Sequence, residues 1–172
     1  MVNIYMFKYC VWYVLEPNHY IYKDIKLYSQ MFKTNSFIPH ITIRHSINTL
    51  DEAIRCMLKY KSMQSYYNPV FKPKSNIDIN TTKVQSINKI YFHSIELPLY
   101  KNKFIPEIKD PHISLVYKIN GRPFDENDKK YLLDYKTDIE NLSIKVVDCH
   151  SENPSEWFFV NPRDSIIKYL SD

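Results

Sequence analysis

Residues 39–43 read Pro-His-Ile-Thr-Ile, and residues 111–115 read Pro-His-Ile-Ser-Leu. In both, a histidine, an apolar residue, a hydroxyl residue and a second apolar residue follow the proline, a pattern typical of a half-buried strand. Because successive side chains of a strand point to opposite faces, each copy places its histidine and its hydroxyl on one surface. The first copy pairs His40 with Thr42, and the second pairs His112 with Ser114.

A single phrase of this kind is usually structural, because most half-buried histidines are simply accommodated by the fold. Two copies are much rarer by coincidence. Each copy also follows a proline, Pro39 or Pro111, which fixes φ just before the strand begins. We therefore interpret the two histidine–hydroxyl pairs as catalytic.

Two imidazoles that face one another can serve as one base and one acid, because histidine has the side-chain pKa closest to neutrality. Phosphodiester cleavage needs that pair: one histidine removes a proton from the attacking hydroxyl or water, and the other donates a proton to the leaving oxygen. The sequence leaves open which histidine has which role. Thr42 and Ser114 are expected to hydrogen-bond the non-bridging phosphate oxygens.

On these two His-x-Ser/Thr motifs the sequence resembles the 2H phosphoesterase family, a LigT-like group. The resemblance covers most of the chain, with one motif in each half. It implies an α+β fold in which residues 1–172 form one bilobal domain, with two antiparallel sheets facing a central cleft and helices flanking them. Family members act on nucleic-acid phosphates involving the ribose 2′ oxygen. An aromatic residue at the position of Tyr117 often stacks on the substrate base, so Tyr117 is a candidate substrate-binding residue.

The alternation of side chains along a strand predicts which face each residue after the first motif occupies. Arg44 has the parity of the motif's histidine and hydroxyl, which makes it a candidate phosphate-binding residue, with a merely solvated charge as the alternative. His45 has the opposite parity and is predicted to be structural. His93 and His150 lie outside the motifs and are also predicted to be structural. Both tryptophans are predicted to pack in the core.

We expect no metal and no cofactor. No histidine pair has the His-Glu-x-x-His spacing, and no acidic residue lies in either motif. Gly121 is the only glycine, which excludes a glycine-rich loop that cradles phosphate with backbone amides. The three cysteines are far apart in sequence and are expected to be reduced.

The formal net charge of +4 favours an anionic partner, but there is no concentrated basic run of the kind that binds duplex DNA. We expect a small nucleotide or a short oligonucleotide as the substrate, no membrane association, a monomer and a cytoplasmic location. Ile, Lys, Asn and Tyr are abundant, and their AT-rich codons hint at a large DNA virus, which would place the protein in the host cytoplasm.

The resemblance and this viral hint together favour a phosphodiesterase that destroys a 2′-linked immune messenger. The messenger would be a cyclic dinucleotide such as 2′,3′-cGAMP, or a 2′,5′-oligoadenylate. One alternative is a 2′,3′-cyclic phosphodiesterase that acts on RNA ends or on ADP-ribose cyclic phosphate. Another is a nucleotide-binding or RNA-binding module of the same fold without turnover.

Hydrophobic periodicity predicts the remaining elements. Thr49 and Glu52 form a capping box that marks the start of a helix over residues 49–63. The pattern is extended over residues 70–97, with alternation in 76–80 and 89–96, and it predicts a hairpin that closes the lobe of the first motif. The other predicted elements are a strand over 4–15, a helix over 19–32, a helix from Asp125 to residue 135, strands over 142–149 and 156–160, and a helix over 163–170.

Overall fold

A computed structural model describes residues 7–84, 90–161 and 163 of the protein. The predicted C-terminal helix lies almost wholly outside the described residues, as do the first residues of the predicted N-terminal strand. The elements, in chain order, are β1 (Lys8–Val14), α1 (Tyr20–Phe32), β2 (His40–Ile47), α2 (Leu50–Gln64), β3 (Asp78–Val84), β4 (Ile90–Pro98), β5 (His112–Ile119), β6 (Ser143–Cys149) and β7 (Phe158–Phe159).

The strands form two antiparallel sheets, which together with the two helices give a mixed α+β fold, as predicted. One sheet has the strand order β2-β1-β6-β7, and the other has the order β3-β4-β5. The first motif therefore lies on an edge strand of the four-stranded sheet, and the second lies on an edge strand of the three-stranded sheet. In the described part of the chain, no helix has the length and hydropathy needed to cross a bilayer.

One apolar core joins the helices to a face of each sheet. Along β1, Val11 and Tyr13 point into this core, whereas Cys10, Trp12 and Val14 belong to a separate apolar cluster on the opposite face. This is the alternation that a two-faced strand requires. The helices cover one face of each sheet, which leaves the other faces available for a cleft.

The helices predicted over 19–32 and 49–63 are present as α1 and α2. The Thr49 hydroxyl caps α2 by accepting a hydrogen bond from the Glu52 backbone N–H at 3.2 Å. The Glu52 carboxylate, however, accepts a hydrogen bond from Arg44 at 2.9 Å. These contacts therefore show one of the two hydrogen bonds of the predicted capping box, the one that the Thr49 hydroxyl accepts. The Glu52 side chain is paired instead with Arg44 of the neighbouring strand.

The predicted hairpin forms from β3 and β4, but it does not close the lobe of the first motif. Strand β4 pairs with β5, so that Pro98 lies opposite His112. The sheet of the first motif is instead completed by β1 and by β6 from the far end of the chain. Local alternation identifies the strands, but it contains no information about which distant strand each one pairs with.

The predicted helix from Asp125 to residue 135 is wrong, since only a short 3₁₀ turn, Asp128–Tyr131, forms there. The N–H of Leu133 donates to the Tyr28 hydroxyl of α1 at 3.0 Å, and this hydroxyl is 2.6 Å from that of Tyr135. Tyr135 in turn donates to Asp24 at 2.9 Å. These tertiary bonds to α1 take the place of helical backbone bonds.

Candidate active site

The faces of the two sheets turned away from the helices line a cleft with a volume of about 280 Å³. Three residues of the two histidine–hydroxyl pairs, His40, Thr42 and His112, line it, whereas Ser114 is not among its lining residues. None of its described lining residues is a lysine or an arginine. The lining residues are Phe7, Cys10, Trp12, His40, Thr42, His45, Asn80, Thr82, Phe92, Ser94, Glu96, His112, Tyr117 and Trp157.

A β-bulge follows the hydroxyl residue of the first motif. Val11 lies opposite Arg44 and Trp12 lies opposite Thr42, so Ile43 is an extra residue on β2. A bulge of this kind reverses which face the following side chains occupy. Strand parity counted from the motif therefore fails beyond Ile43.

The prediction that Arg44 shares a face with the motif is consequently wrong. Arg44 contacts α2 through its ion pair with Glu52 at 2.9 Å and does not line the cleft. His45, which parity placed on the opposite face, lines the cleft instead. Its Nδ1 is 2.8 Å from the Ser46 hydroxyl, and its ring lies edge-on to Phe7.

The second motif has a bulge at the matching position. Ile95 lies opposite Val116 and Glu96 lies opposite Ser114, so Leu115 is the extra residue on β5. The bulge turns Tyr117 into the cleft. In both strands, therefore, the side chain five residues after the motif histidine reaches the cleft. It is the imidazole of His45 in β2 and the phenol of Tyr117 in β5.

The two motif histidines are held by the same hydrogen bond. Nδ1 of His40 is 2.7 Å from the carbonyl oxygen of Ile38, and Nδ1 of His112 is 2.9 Å from the carbonyl oxygen of Asp110. Because a carbonyl oxygen can only accept, each Nδ1 must carry the proton. When the imidazole is neutral, this leaves Nε2 with a free lone pair.

His40 is buried, with 6% of its surface exposed, and its ring is stacked on Trp12 at a centroid distance of 3.4 Å. Burial lowers the pKa of His40 from 6.5 to about 3, the hydrogen bond to Ile38 partly opposes that effect, and repulsion from His112 adds to it. His40 is therefore neutral at physiological pH. Trp12, predicted to lie in the core, is indeed buried, but its ring also forms part of the cleft wall.

His112 is the more exposed of the two histidines and has a carboxylate partner that the sequence reasoning missed. Its Nε2 is 3.5 Å from Oε1 of Glu96 on β4. Glu96 also accepts hydrogen bonds from Ser94 at 2.8 Å and from Asn80 at 3.3 Å. Coulomb attraction between His112 and Glu96 operates only when His112 is protonated. In the sequence, the alternation of polar residues along β3 and β4 is the feature that could have indicated this network.

The two motif hydroxyls differ in their surroundings. Ser114 is buried and forms a side-chain hydrogen bond with Tyr117. Burial raises the pKa of Tyr117, and that hydrogen bond only partly opposes the effect, so the phenol stays protonated. Thr42 is half-buried and lies beside Trp12 in the sheet register.

The remaining histidines predicted to be structural stay outside the cleft lining. His93 is buried with its Nδ1 3.0 Å from the Thr81 hydroxyl, and His150 is bonded to Asp148 at 2.7 Å. Among the described residues, no three His, Cys, Asp or Glu side chains are grouped so that they could hold a metal ion. The cysteines, all three of them buried, are free thiols.

No protein-family model matches the chain, and no curated protein matches it significantly.

The buried neutral state of His40 should be visible in the pH dependence of stability. Its pKa is lowered from 6.5 to about 3 in the folded protein, so between these values the unfolded chain binds the additional proton. Stability therefore falls as the pH is lowered through this range. In His40→Asn this contribution is removed, and we expect the fall to be shallower by up to about 1.4 kcal/mol per pH unit. Urea titrations from neutral pH to about pH 4 measure it.

Asn is chosen because its side-chain amide retains a donor for the Ile38 carbonyl. The matched control is Ser114→Ala, which removes a buried polar group from the second motif but no titratable imidazole. It should change the level of stability and leave the pH slope as in the wild type. Equal slopes in His40→Asn and the wild type would contradict a buried neutral His40.

Proposed function

We propose that the protein is a metal-independent phosphodiesterase of the 2H type that cleaves 2′-linked nucleotides. His40 is the general base and His112 is the general acid. The observation that carries the proposal is the pair of imidazoles in one cleft, each with Nδ1 bonded to the carbonyl two residues before it and each with a hydroxyl two residues after it.

The assignment of base and acid rests on the different surroundings of the two rings. The burial that lowers the pKa of His40 keeps its Nε2 lone pair free to accept a proton from the attacking water or ribose hydroxyl. His112 lies beside the Glu96 carboxylate, with 3.5 Å between its Nε2 and Oε1 of Glu96, and we assign it the role of the acid. From Nε2 it donates its proton to the leaving oxygen. The two hydroxyls donate hydrogen bonds to the non-bridging oxygens as charge develops there.

A bound phosphate would strengthen His40 as a base. Its pKa is low in the free protein because the ring is buried and repelled by His112. An anion beside the ring favours the protonated form and so raises the pKa of His40 in the complex. Substrate binding would thus make His40 a stronger base than it is in the free protein.

The size and lining of the cleft support a nucleotide substrate. Its volume of about 280 Å³ lies just below the usual range of small-molecule pockets, which is about 300–1,000 Å³. Aromatic side chains form much of the lining, and such rings bind nucleobases by stacking. Trp12, Phe92, Tyr117 and Trp157 provide them.

Within this reaction class we favour a 2′-linked immune messenger, a cyclic dinucleotide or a 2′,5′-oligoadenylate, over the 2′,3′-cyclic phosphate end of an RNA. The preference rests on the composition of the chain, which hints at a viral source, and on the resemblance of the two motifs. Acting in a host cell, such an enzyme would remove the signal before it reaches its receptor.

Both histidines are expected to be required for turnover. His40→Asn and His112→Asn should each lower kcat by about 10²- to 10⁴-fold, the usual contribution of a general acid or base. Each substitution retains a donor for the carbonyl and removes Nε2 together with the ring, and circular dichroism will report whether the fold is kept. His19→Asn is the matched control, because His19 lies outside the cleft and asparagine is itself a good helix N-cap. Wild-type turnover in either motif variant would contradict the roles given to them.

A chromatographic comparison of several nucleotides tests which class of substrate the protein cleaves. The purified protein is incubated, with and without EDTA, with a 2′-linked cyclic dinucleotide, a 2′,5′-oligoadenylate, an RNA with a 2′,3′-cyclic phosphate end and all-3′,5′-linked controls. We expect cleavage of a 2′-linked messenger, no cleavage of the 3′,5′ controls, and no loss of rate with EDTA.

Three outcomes would overturn parts of this proposal. Opening of the RNA end alone would replace the messenger by the end-processing reaction. Loss of activity with EDTA, restored by a divalent ion, would return a catalytic metal to favour. Tight binding of the nucleotides without any cleavage would identify a binding module.

A further inference from the structure

A second pocket adjoins the cleft and shares one wall with it. Its volume is about 250 Å³, and Tyr117 lines both cavities. The loop after α1, the end of β5 and the turn that follows β6 form its other walls. We call it the side pocket, and its lining residues are Lys33, Thr34, Asn35, Tyr117, Lys118, Ile119, Asn153 and Pro154.

The side pocket has the charge that the cleft lacks. Two lysines, Lys33 and Lys118, line it, and no acidic residue is among its described lining residues. Among the described lining residues of the cleft, by contrast, Glu96 is the only carboxylate, and there is no lysine or arginine. An anion larger than one phosphodiester would therefore find its counter-charge in the side pocket.

Polar groups with spare hydrogen-bonding capacity accompany the two lysines. The Thr34 hydroxyl is shielded from solvent and has no hydrogen-bond partner. Asn35 donates only a long bond of 3.4 Å to Asn153. A buried polar atom without a partner is costly, and a ligand in the pocket would satisfy it.

Lys118 is partly withdrawn from water in the free protein. Its side chain lies over the Phe124 ring, with Nζ 4.5 Å from the ring centroid. Burial lowers the pKa of Lys118, the charge of Arg122 adds to that effect, and the carboxylates of Asp128 and Asp125 oppose it. A bound anion would compensate this loss of hydration, because burying a charge is costly unless the charge is paired.

We infer that the side pocket binds the second nucleotide unit of the substrate, with a phosphate of that unit between Lys33 and Lys118 and the scissile phosphodiester in the cleft. The substrates are then at least two nucleotides long. This inference rests on the proposed function for the chemistry in the cleft, and it adds the length of the substrate to it.

The test compares two probes of different length. The longer is a 2′,5′-linked diadenylate with a 5′ phosphate, and the shorter is 2′,3′-cyclic AMP, which fills the cleft alone. The variant is Lys33→Asn combined with Lys118→Gln. Asparagine tolerates the positive φ of 55° at position 33, and glutamine keeps most of the Lys118 stem over Phe124. The matched control is Lys61→Gln with Lys136→Gln, two exposed lysines that line neither cavity.

Binding is measured by calorimetry in a His40→Asn background, so that neither probe is consumed. We expect the Kd of the diadenylate to rise at least tenfold in the side-pocket variant, while the Kd of cyclic AMP changes by less than twofold in every protein. An unchanged Kd for the diadenylate, or an equal rise for both probes, would overturn the inference.

This result is separable from that of the proposed function. If the wild type cleaves a 2′-linked substrate but the side-pocket variant binds the diadenylate normally, the inference fails and the proposed function stands. If the wild type cleaves nothing but the length-dependent loss of binding is seen, the side pocket stands as a nucleotide site and the enzymatic proposal fails.

Discussion

The cleft depends on one hydrogen bond that occurs twice, from the Nδ1–H of each motif histidine to the carbonyl two residues earlier. A proline separates donor from acceptor in both cases, and its ring fixes φ and holds the preceding residue extended. The carbonyl is thereby presented to the imidazole at 2.7 Å in the first motif and 2.9 Å in the second. This contact selects the tautomer and aims Nε2 away from the backbone. The chemistry we propose requires that atom on both rings.

Because both rings make the same hydrogen bond, the differences between them arise from their surroundings. His40 is buried against Trp12, and burial lowers its pKa, whereas His112 is half-exposed beside Glu96. Two identical motifs therefore give one neutral ring and one ring with a carboxylate neighbour. In the mechanism we propose, environment, and not the motif, separates the roles of base and acid, which is why the sequence left this choice open.

The sequence was sufficient for the features that depend on local patterns. The helices predicted over 19–32 and 49–63, the hairpin of β3 and β4, the two motif strands and the presence of His40, Thr42 and His112 in one cleft agree with their prediction. The failures have one physical origin, which is that a pattern along the chain does not contain the contacts across it. The residues from 125 to 135 have helical spacing, yet the bond from Leu133 to Tyr28 holds them in an irregular segment.

The bulges at Ile43 and Leu115 are the most instructive case. Counting by twos along β2 puts Arg44 in the cleft and His45 behind it, and the single extra residue reverses both. A bulge depends on the partner strand, so the pattern of one strand does not reveal it. The sequence did not predict Glu96 as a partner of His112 for a related reason. Glu96 lies on β4, and the pairing of β4 with the second motif strand is long-range in the chain.

The central claim is that each motif histidine carries its proton on Nδ1 and turns Nε2 into the cleft, with His40 neutral. Two-bond proton–nitrogen NMR correlation of the nitrogen-15-labelled protein reads the tautomer of each imidazole directly. At neutral pH we expect His40 to show a protonated Nδ1 and an unprotonated Nε2, and to keep that pattern when the pH is lowered to about 5, because burial lowers its pKa to about 3. A proton on Nε2 alone, or an imidazolium pattern for His40 at neutral pH, would contradict the account.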